Sequence, residues 1–278
     1  MNIKSFNPWP ITIFFILIIL LILFLIPTFG VLLAAFKTTR DISFGNLWSL
    51  PDKLYFGNFI EIYNNPSVYY YFLNTILVTI PASIASTILG VLAGYVFAKL
   101  PFKYSNILFL IIISGMFFPP QVILIPLYRL FNTMGLIDTL YPLIIVHTAL
   151  GIPICTLLMR NFFSTIPTSL REAAKADGAN ELNILLLIIL PISIPALAVL
   201  LTLQFTWIWN DFIWPLILIQ TDTNKTIMLG IVNLRGMYSV AWGVQAALSL
   251  IASLPTLIVF LFFQNYFIKG ITMGAIKG

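Results

Sequence analysis

Charge is scarce in this chain of 278 residues: Asp, Glu, Lys and Arg together make up 8% of it. That is too little polar surface for a soluble protein of one or two domains. Cysteine is scarcer still. Cys155 is the only one, which excludes an internal disulfide and any cysteine metal cluster. His147 is the only histidine, so no ligand-rich constellation for a metal can be assembled around it. The sequence has no Gly-x-x-x-x-Gly-Lys-Ser/Thr phosphate loop. It also shows no paired carboxylates and no nucleophile beside a base, so the chain does not read as an enzyme by itself, and no cofactor or metal ligands stand out. The formal charge of +5 comes from 14 basic residues spread thinly between apolar runs. Membrane topology explains that spacing better than a nucleic-acid-binding face does.

What the chain has in abundance is long apolar runs, 60% of the sequence being hydrophobic. The first, ITIFFILIILLILFLI from Ile11 to Ile26, holds one polar residue, Thr12. Each Leu, Ile or Phe near a helix centre favours the bilayer by about 0.3–0.6 kcal/mol, which sums to several kcal/mol with nothing opposing. The apolar character continues to Phe36, beyond the 7–15 residues of a signal-peptide core, and is read as an uncleaved first span. Six spans are expected, near 10–36, 71–98, 107–127, 140–159, 184–207 and 240–263. The fold class is therefore all-α and integral to a membrane. Residues 1–70 form a first helix with an outer loop, 71–264 a transmembrane core, and 265–278 a tail. With both termini cytoplasmic, the inside segments carry eight Lys and Arg against six outside, the bias that sets orientation. Prolines such as Pro153, Pro191, Pro195 and Pro255 sit in or beside spans. There they kink helices and free carbonyls, which neighbouring helices or a water-filled cavity must satisfy.

Against this background the stretch IPTSLREAAKADGANELN (166–183) concentrates charge. Ser169 and Glu172 have the spacing of a capping box. A short helix from Leu170 to Asp177 is expected, closed by a left-handed Gly178. Two turns are marginal alone, so a partner should hold them. Ala173, Ala174 and Ala176 permit close approach, and the surrounding charges fix register. An ordinary solvated loop is the alternative.

EAAKADGAN followed by LPISIP resembles the cytoplasmic EAA motif of ABC-importer permeases, at Glu172, Ala173, Ala174, Gly178, Leu190 and Pro191. WNDFIWPLIL (209–218) and FIKGITMGAIKG (267–278) resemble the carbohydrate-type subgroup, the smaller permease partner of maltose and glycerol-phosphate importers. Lys225–Ile231 departs from it, lacking a proline before the glycine. The resemblance implies the type I importer permease fold in a cell (inner) membrane. It implies pairing with a second, homologous permease, two ATPase subunits that bind ATP-Mg, and an extracytoplasmic solute-binding protein. It further implies ATPase docking by Leu170, Glu172, Ala173, Ala174, Asp177 and Gly178. Leu190, Pro191 and Pro195 would act as a kinked lever, and Gly270, Gly274 and Lys277 would reach the ATPase pair. The solute would be a sugar or related polar compound.

Some features stand outside the motif. His147, near the middle of the fourth span, is either hydrogen-bonded to a neighbouring helix or part of a pathway. Asn210 and Asp211 interrupt an apolar run, with Pro215 breaking the next turn. Trp207, Trp209 and Trp214 then either line a cavity or anchor the interface. Arg129 and Asp138 read as membrane-edge markers. Two other function classes stay open on residues alone. One is an ion-coupled secondary transporter, which should show intramembrane carboxylates. The other is a scaffold that recruits a cytoplasmic protein.

Overall fold

The computed structural model of the chain describes residues 9–43, 47–234 and 241–275. No strand occurs among them. In chain order the helices are α1 (Trp9–Ala35), α2 (Thr39–Ser43), α3 (Gly57–Asn64), α4 (Pro66–Lys99), α5 (Ser105–Ser114), α6 (Leu124–Thr133), α7 (Tyr141–Thr165) and α8 (Thr168–Ala176). They continue as α9 (Glu181–Ile184), α10 (Leu190–Ile192), α11 (Ile194–Trp209), α12 (Ile213–Leu218), α13 (Ile227–Asn233) and α14 (Trp242–Ala275). Helices α1, α4, α7 and α14 are each long and apolar enough to cross a membrane. Helix α1 is apolar on all sides and exposed along nearly all its length, as a lipid-facing span must be.

The third and fifth expected spans are not straight helices. Ser105–Phe117 and Pro120–Thr133 meet at 89°, and Glu181–Ile192 and Ile194–Trp209 at 82°. Proline chemistry accounts for both bends. Phe118 and Pro119 are extended, with ψ of 126° and 127°, because a residue preceding proline avoids the α region. In the second bend Pro191 and Pro195 lack the N–H groups that would bond the carbonyls of residues 187 and 191. A π-helical turn, Leu185–Ile189, precedes the first of these, and Ser193 leaves helical geometry before the second. The buried Ser193 hydroxyl donates back to the Ile189 carbonyl at 2.6 Å, which satisfies the one polar side chain at the break.

The chain divides into two compact units. In the first, residues 1–66 and 231–253, the carboxyl end of α1 is tied down. Asn58 donates to the carbonyls of Ala35 and Lys37 at 2.9 and 2.8 Å, which the helix itself cannot satisfy. The buried Lys37 amine donates to the Leu47 carbonyl and the Ser49 hydroxyl.

The second unit, residues 67–230 and 254–278, is organised on one tight crossing. A Cβ built on Gly90 would lie 2.2 Å from Cys155 Cβ, one on Gly94 would lie 2.9 Å from Met159 Cβ, and one on Gly151 would lie 2.7 Å from Ser86 Cβ. Ser86, Gly90 and Gly94 step by four along α4, as Gly151, Cys155 and Met159 do along α7. Small residues at this spacing let two helix backbones touch. Both series ascend together, so α4 and α7 run parallel, and the chain between them must traverse the unit once. Aromatic contacts agree: Phe97 packs on Phe109 at the carboxyl end of α4, where the first bent pair begins. The second bent pair also runs end to end. Tyr95 bonds Glu181 and Phe72 packs on Trp209, two levels of α4 separated by 23 residues, or about 34 Å at 1.5 Å per residue. That matches a hydrocarbon core of roughly 30 Å. Each bent pair is thus one crossing.

Candidate functional sites

Helix α8 occupies the charged stretch, starting at Thr168 rather than Leu170. The expected capping box does not form, because Ser169 lies inside the helix. Pro167, with φ of −57° and ψ of 136°, takes the cap position, and no side chain caps there. The capping bond occurs one helix later, where Asn180 Oδ1 accepts from the Asn183 N–H at 2.8 Å and opens α9. The other end of α8 is as expected. Gly178 has φ of +85° with nothing within 4 Å of its missing Cβ, so only backbone conformation requires glycine here. The N–H groups of Gly178 and Ala179 donate to the carbonyls of Lys175 and Ala174, a Schellman closure.

The charges divide into two sets. Glu181 accepts from Arg171, from Lys175 at 2.7 Å and from the Tyr95 hydroxyl at 2.7 Å. These bonds brace α8 against α9 and the end of α4. The Lys99 amine donates to the Ile166 carbonyl just before α8. Three of the segment's charges are therefore used internally rather than presented to a partner. Leu170, Glu172, Ala173 and Asp177 project outward, while Ala174 is buried in the core formed by Tyr95, Phe163 and Ile184.

A second site lies where α7, α11 and the break of the first bent pair converge. His147 and Asp211, 64 residues apart in sequence, approach to 3.3 Å between Nε2 and Oδ2. They line a cavity of about 450 Å³ together with Gln121, Gln204, Trp207 and Trp214. His147 belongs to the second turn of α7, nearer its amino end than its middle. Asp211 also accepts the N–H groups of Ile213 and Trp214, each at 3.2 Å, and so starts α12. Pro215 stands within the first turn of α12 and does not break it. Asn210 turns back to the Thr206 carbonyl and does not line the cavity. Of the three tryptophans only Trp207 is exposed. Trp209 is 1% exposed and stacks on Phe205, and Trp214 is 4% exposed, so neither is a membrane-interface anchor.

These sites can be set beside known proteins. Residues 86–273 match the family described as binding-protein-dependent transport system inner membrane component, a stretch that holds α8, both bends and the cavity. The chain belongs to that family. Similar proteins include a probable ABC transporter permease protein of Pyrococcus horikoshii, 38% identical over 90% of this chain and 91% of that one. The arabinooligosaccharides transport system permease protein AraQ of Bacillus subtilis is 32% identical over 96% of this chain and 95% of its own. The fold matches a crystal structure of a bacterial ABC transporter involved in the import of the acidic polysaccharide alginate. The TM-score is 0.79 at 24% identity, covering 96% of this chain and 99% of that one.

Other parts of this permease were not legible as sites. Asp138, read as an edge marker, is a clamp in a left-handed conformation, φ +63°. Its carboxylate accepts the N–H groups of Gln220 and Thr221, each at 2.8 Å, and the Thr221 hydroxyl. Partial burial would raise its pKa, but these donors outweigh that and hold it below the ordinary carboxylate value. Asp222 accepts from Ser67, Tyr71 and Lys225 at 2.7, 2.8 and 3.0 Å, and Asn74 donates to the Thr223 and Lys225 carbonyls. The only sequence signal for this network was polar residues at the start of an apolar helix. Of the lever residues, Pro191 is exposed, and Leu190 and Pro195 are half-buried at the 82° bend. Gly270 and Gly274 lie in the last turns of α14, and Lys277 falls outside the described residues.

Proposed function

We propose that this chain is the permease subunit of an ATP-driven importer for a sugar or related polar solute. It would form half of the translocation pathway beside a second, homologous permease. Two ATP-binding subunits would hold ATP-Mg, and an extracytoplasmic binding protein would deliver the solute. Relatives named for arabinooligosaccharide and alpha-glucoside transport support the solute class. The alginate importer, also crystallised in complex with its pentasaccharide-bound periplasmic protein, supports the assembly. Both termini, α8 and the Tyr95 end of α4 would face the cytoplasm.

One observation carries the coupling role: α8 is rigidly braced from behind by Glu181 yet presents Leu170, Glu172, Ala173 and Asp177 to solvent. A short helix held this way can take up a force applied to its outer face and pass it into α9 and the bend at Pro191. ATP binding would close the ATPase pair, shift α8 and tilt the kinked spans; hydrolysis would reverse the motion. Because Ala173 is exposed, Ala173→Trp should leave thermal unfolding of the permease unchanged while abolishing co-purification of the ATPase in mild detergent. Normal ATPase retention and transport in that variant would refute the docking face.

A further inference from the structure

We propose that the His147–Asp211 cavity is a solute subsite of this chain itself, built to take one uncharged glycosyl residue and to turn away acidic ones. This deepens the permease reading and rests on it. The site is unlike a packing defect. Non-helical backbone at membrane depth survives only where it is buried in protein or lines a water-filled cavity, and the Phe118–Pro119 break forms one wall here. His147 is 7% exposed and Gln204 4%. An ionisable side chain such as His147 inside a membrane-spanning helix is rare and marks a solute or ion pathway. The volume of about 450 Å³ falls within the range of roughly 300–1,000 Å³ found for small-molecule sites. Gly151 makes room for this arrangement: a Cβ there would sit 2.9 Å from Gln204 Oε1.

The chemistry of the lining selects the occupant. Carboxamides of Gln121 and Gln204 each offer donors and an acceptor, the Asp211 carboxylate accepts, and His147 can do either. A sugar hydroxyl both donates and accepts, so this mixture suits a polyol. The exposed indole ring of Trp207 provides a flat apolar face for the C–H side of a sugar ring, and the buried Trp214 closes the wall behind it. An apolar solute would displace water from Gln121 and Asp211 without offering a hydrogen bond in return, which is unfavourable. A uronate is disfavoured for a different reason. No Lys or Arg is among the lining residues, so its carboxylate would be desolvated beside Asp211 without a fixed cation. Asp211 is thus the specificity-determining residue and Gln204 a direct hydroxyl ligand.

The test uses the assembled importer in lipid nanodiscs, without its binding protein, and the intrinsic tryptophan signal. Probes are the neutral trisaccharides maltotriose, arabinotriose, cellotriose and raffinose, and the acidic trigalacturonate. At least one neutral trisaccharide should shift the fluorescence saturably, and trigalacturonate should not. Gln204→Leu should weaken the neutral response at least 10-fold. Asp211→Asn, which can still cap α12, should strengthen trigalacturonate binding at least 10-fold. Thermal unfolding confirms that each variant is folded. No neutral response, an equal response to trigalacturonate, or affinities untouched by both substitutions would overturn the subsite. If the subsite fails while Ala173→Trp still releases the ATPase, the permease reading stands without it; if the ATPase is retained, the coupling reading has failed separately.

Discussion

The parallel crossing of α4 and α7 can be tested at Gly90. In Gly90→Val the new Cβ would meet Cys155 Cβ at 2.2 Å and the Cys155 backbone at 2.8 and 3.0 Å. Backbone cannot rotate away as a flexible side chain can, so the helices must separate. Restoring ordinary contact of about 3.6 Å needs an opening of roughly 1.4 Å along that line. A gap of 0.5–1 Å already forfeits a quarter to a half of each atom pair's about 0.1–0.2 kcal/mol. Overpacking of this kind destabilises by about 1–3 kcal/mol, and valine recovers only a few tenths through its better helix propensity. We expect a net loss of about 2 kcal/mol, or a Tm lower by roughly 4–8 °C for a unit of this size. Cys155 reports the opening directly. It is the only thiol in the chain and is fully buried, so maleimide labelling at fixed temperature should be slow in the native protein and accelerate in Gly90→Val. Unchanged Tm with Cys155 still protected would mean that the two helices do not cross through Gly90.

Two further perturbations follow from the same unit. Asp138→Ala removes the acceptor of two N–H groups and a hydroxyl and places alanine at φ +63°. A loss of about 2–4 kcal/mol is expected by chemical denaturation, with Asp138→Asn, which tolerates that conformation, losing clearly less. Because the folded pKa of Asp138 lies below its unfolded value, its contribution is present in full above about pH 4 and is lost as pH falls through the folded pKa. The Tm difference between the native protein and Asp138→Asn should therefore be flat from pH 6 to 8 and shrink below pH 4; a difference that grows there would contradict the linkage. Glu181→Gln removes the negative charge shared by Arg171 and Lys175 and leaves one acceptor oxygen in place of two. Since these groups are partly exposed, stability should fall by only about 1 kcal/mol, but hydrogen exchange across 168–176 should rise, and unchanged exchange would show that α8 is held by Ala174 alone.

Sequence alone determined that the chain lives in a membrane, roughly where it crosses, and where it is punctuated. Those properties depend on the summed transfer energy of local residues and on Pro and Gly backbone chemistry, which need no knowledge of neighbours. Gly178 is the clearest case: its left-handed turn is required by the closure of α8 and touches nothing else. Tertiary structure decided everything that depends on which helix faces which. Ser169 and Glu172 fit a capping box, yet Pro167 starts the helix. Glu181 draws Arg171 and Lys175 inward because the end of α4 places Tyr95 beside it. His147 and Asp211 meet only because the Gly90–Cys155 crossing and the two proline bends bring α7 and α11 together at one level. A pair separated by that much chain leaves no periodic trace in the sequence, since its energy arises from distance in space and not from spacing along the backbone.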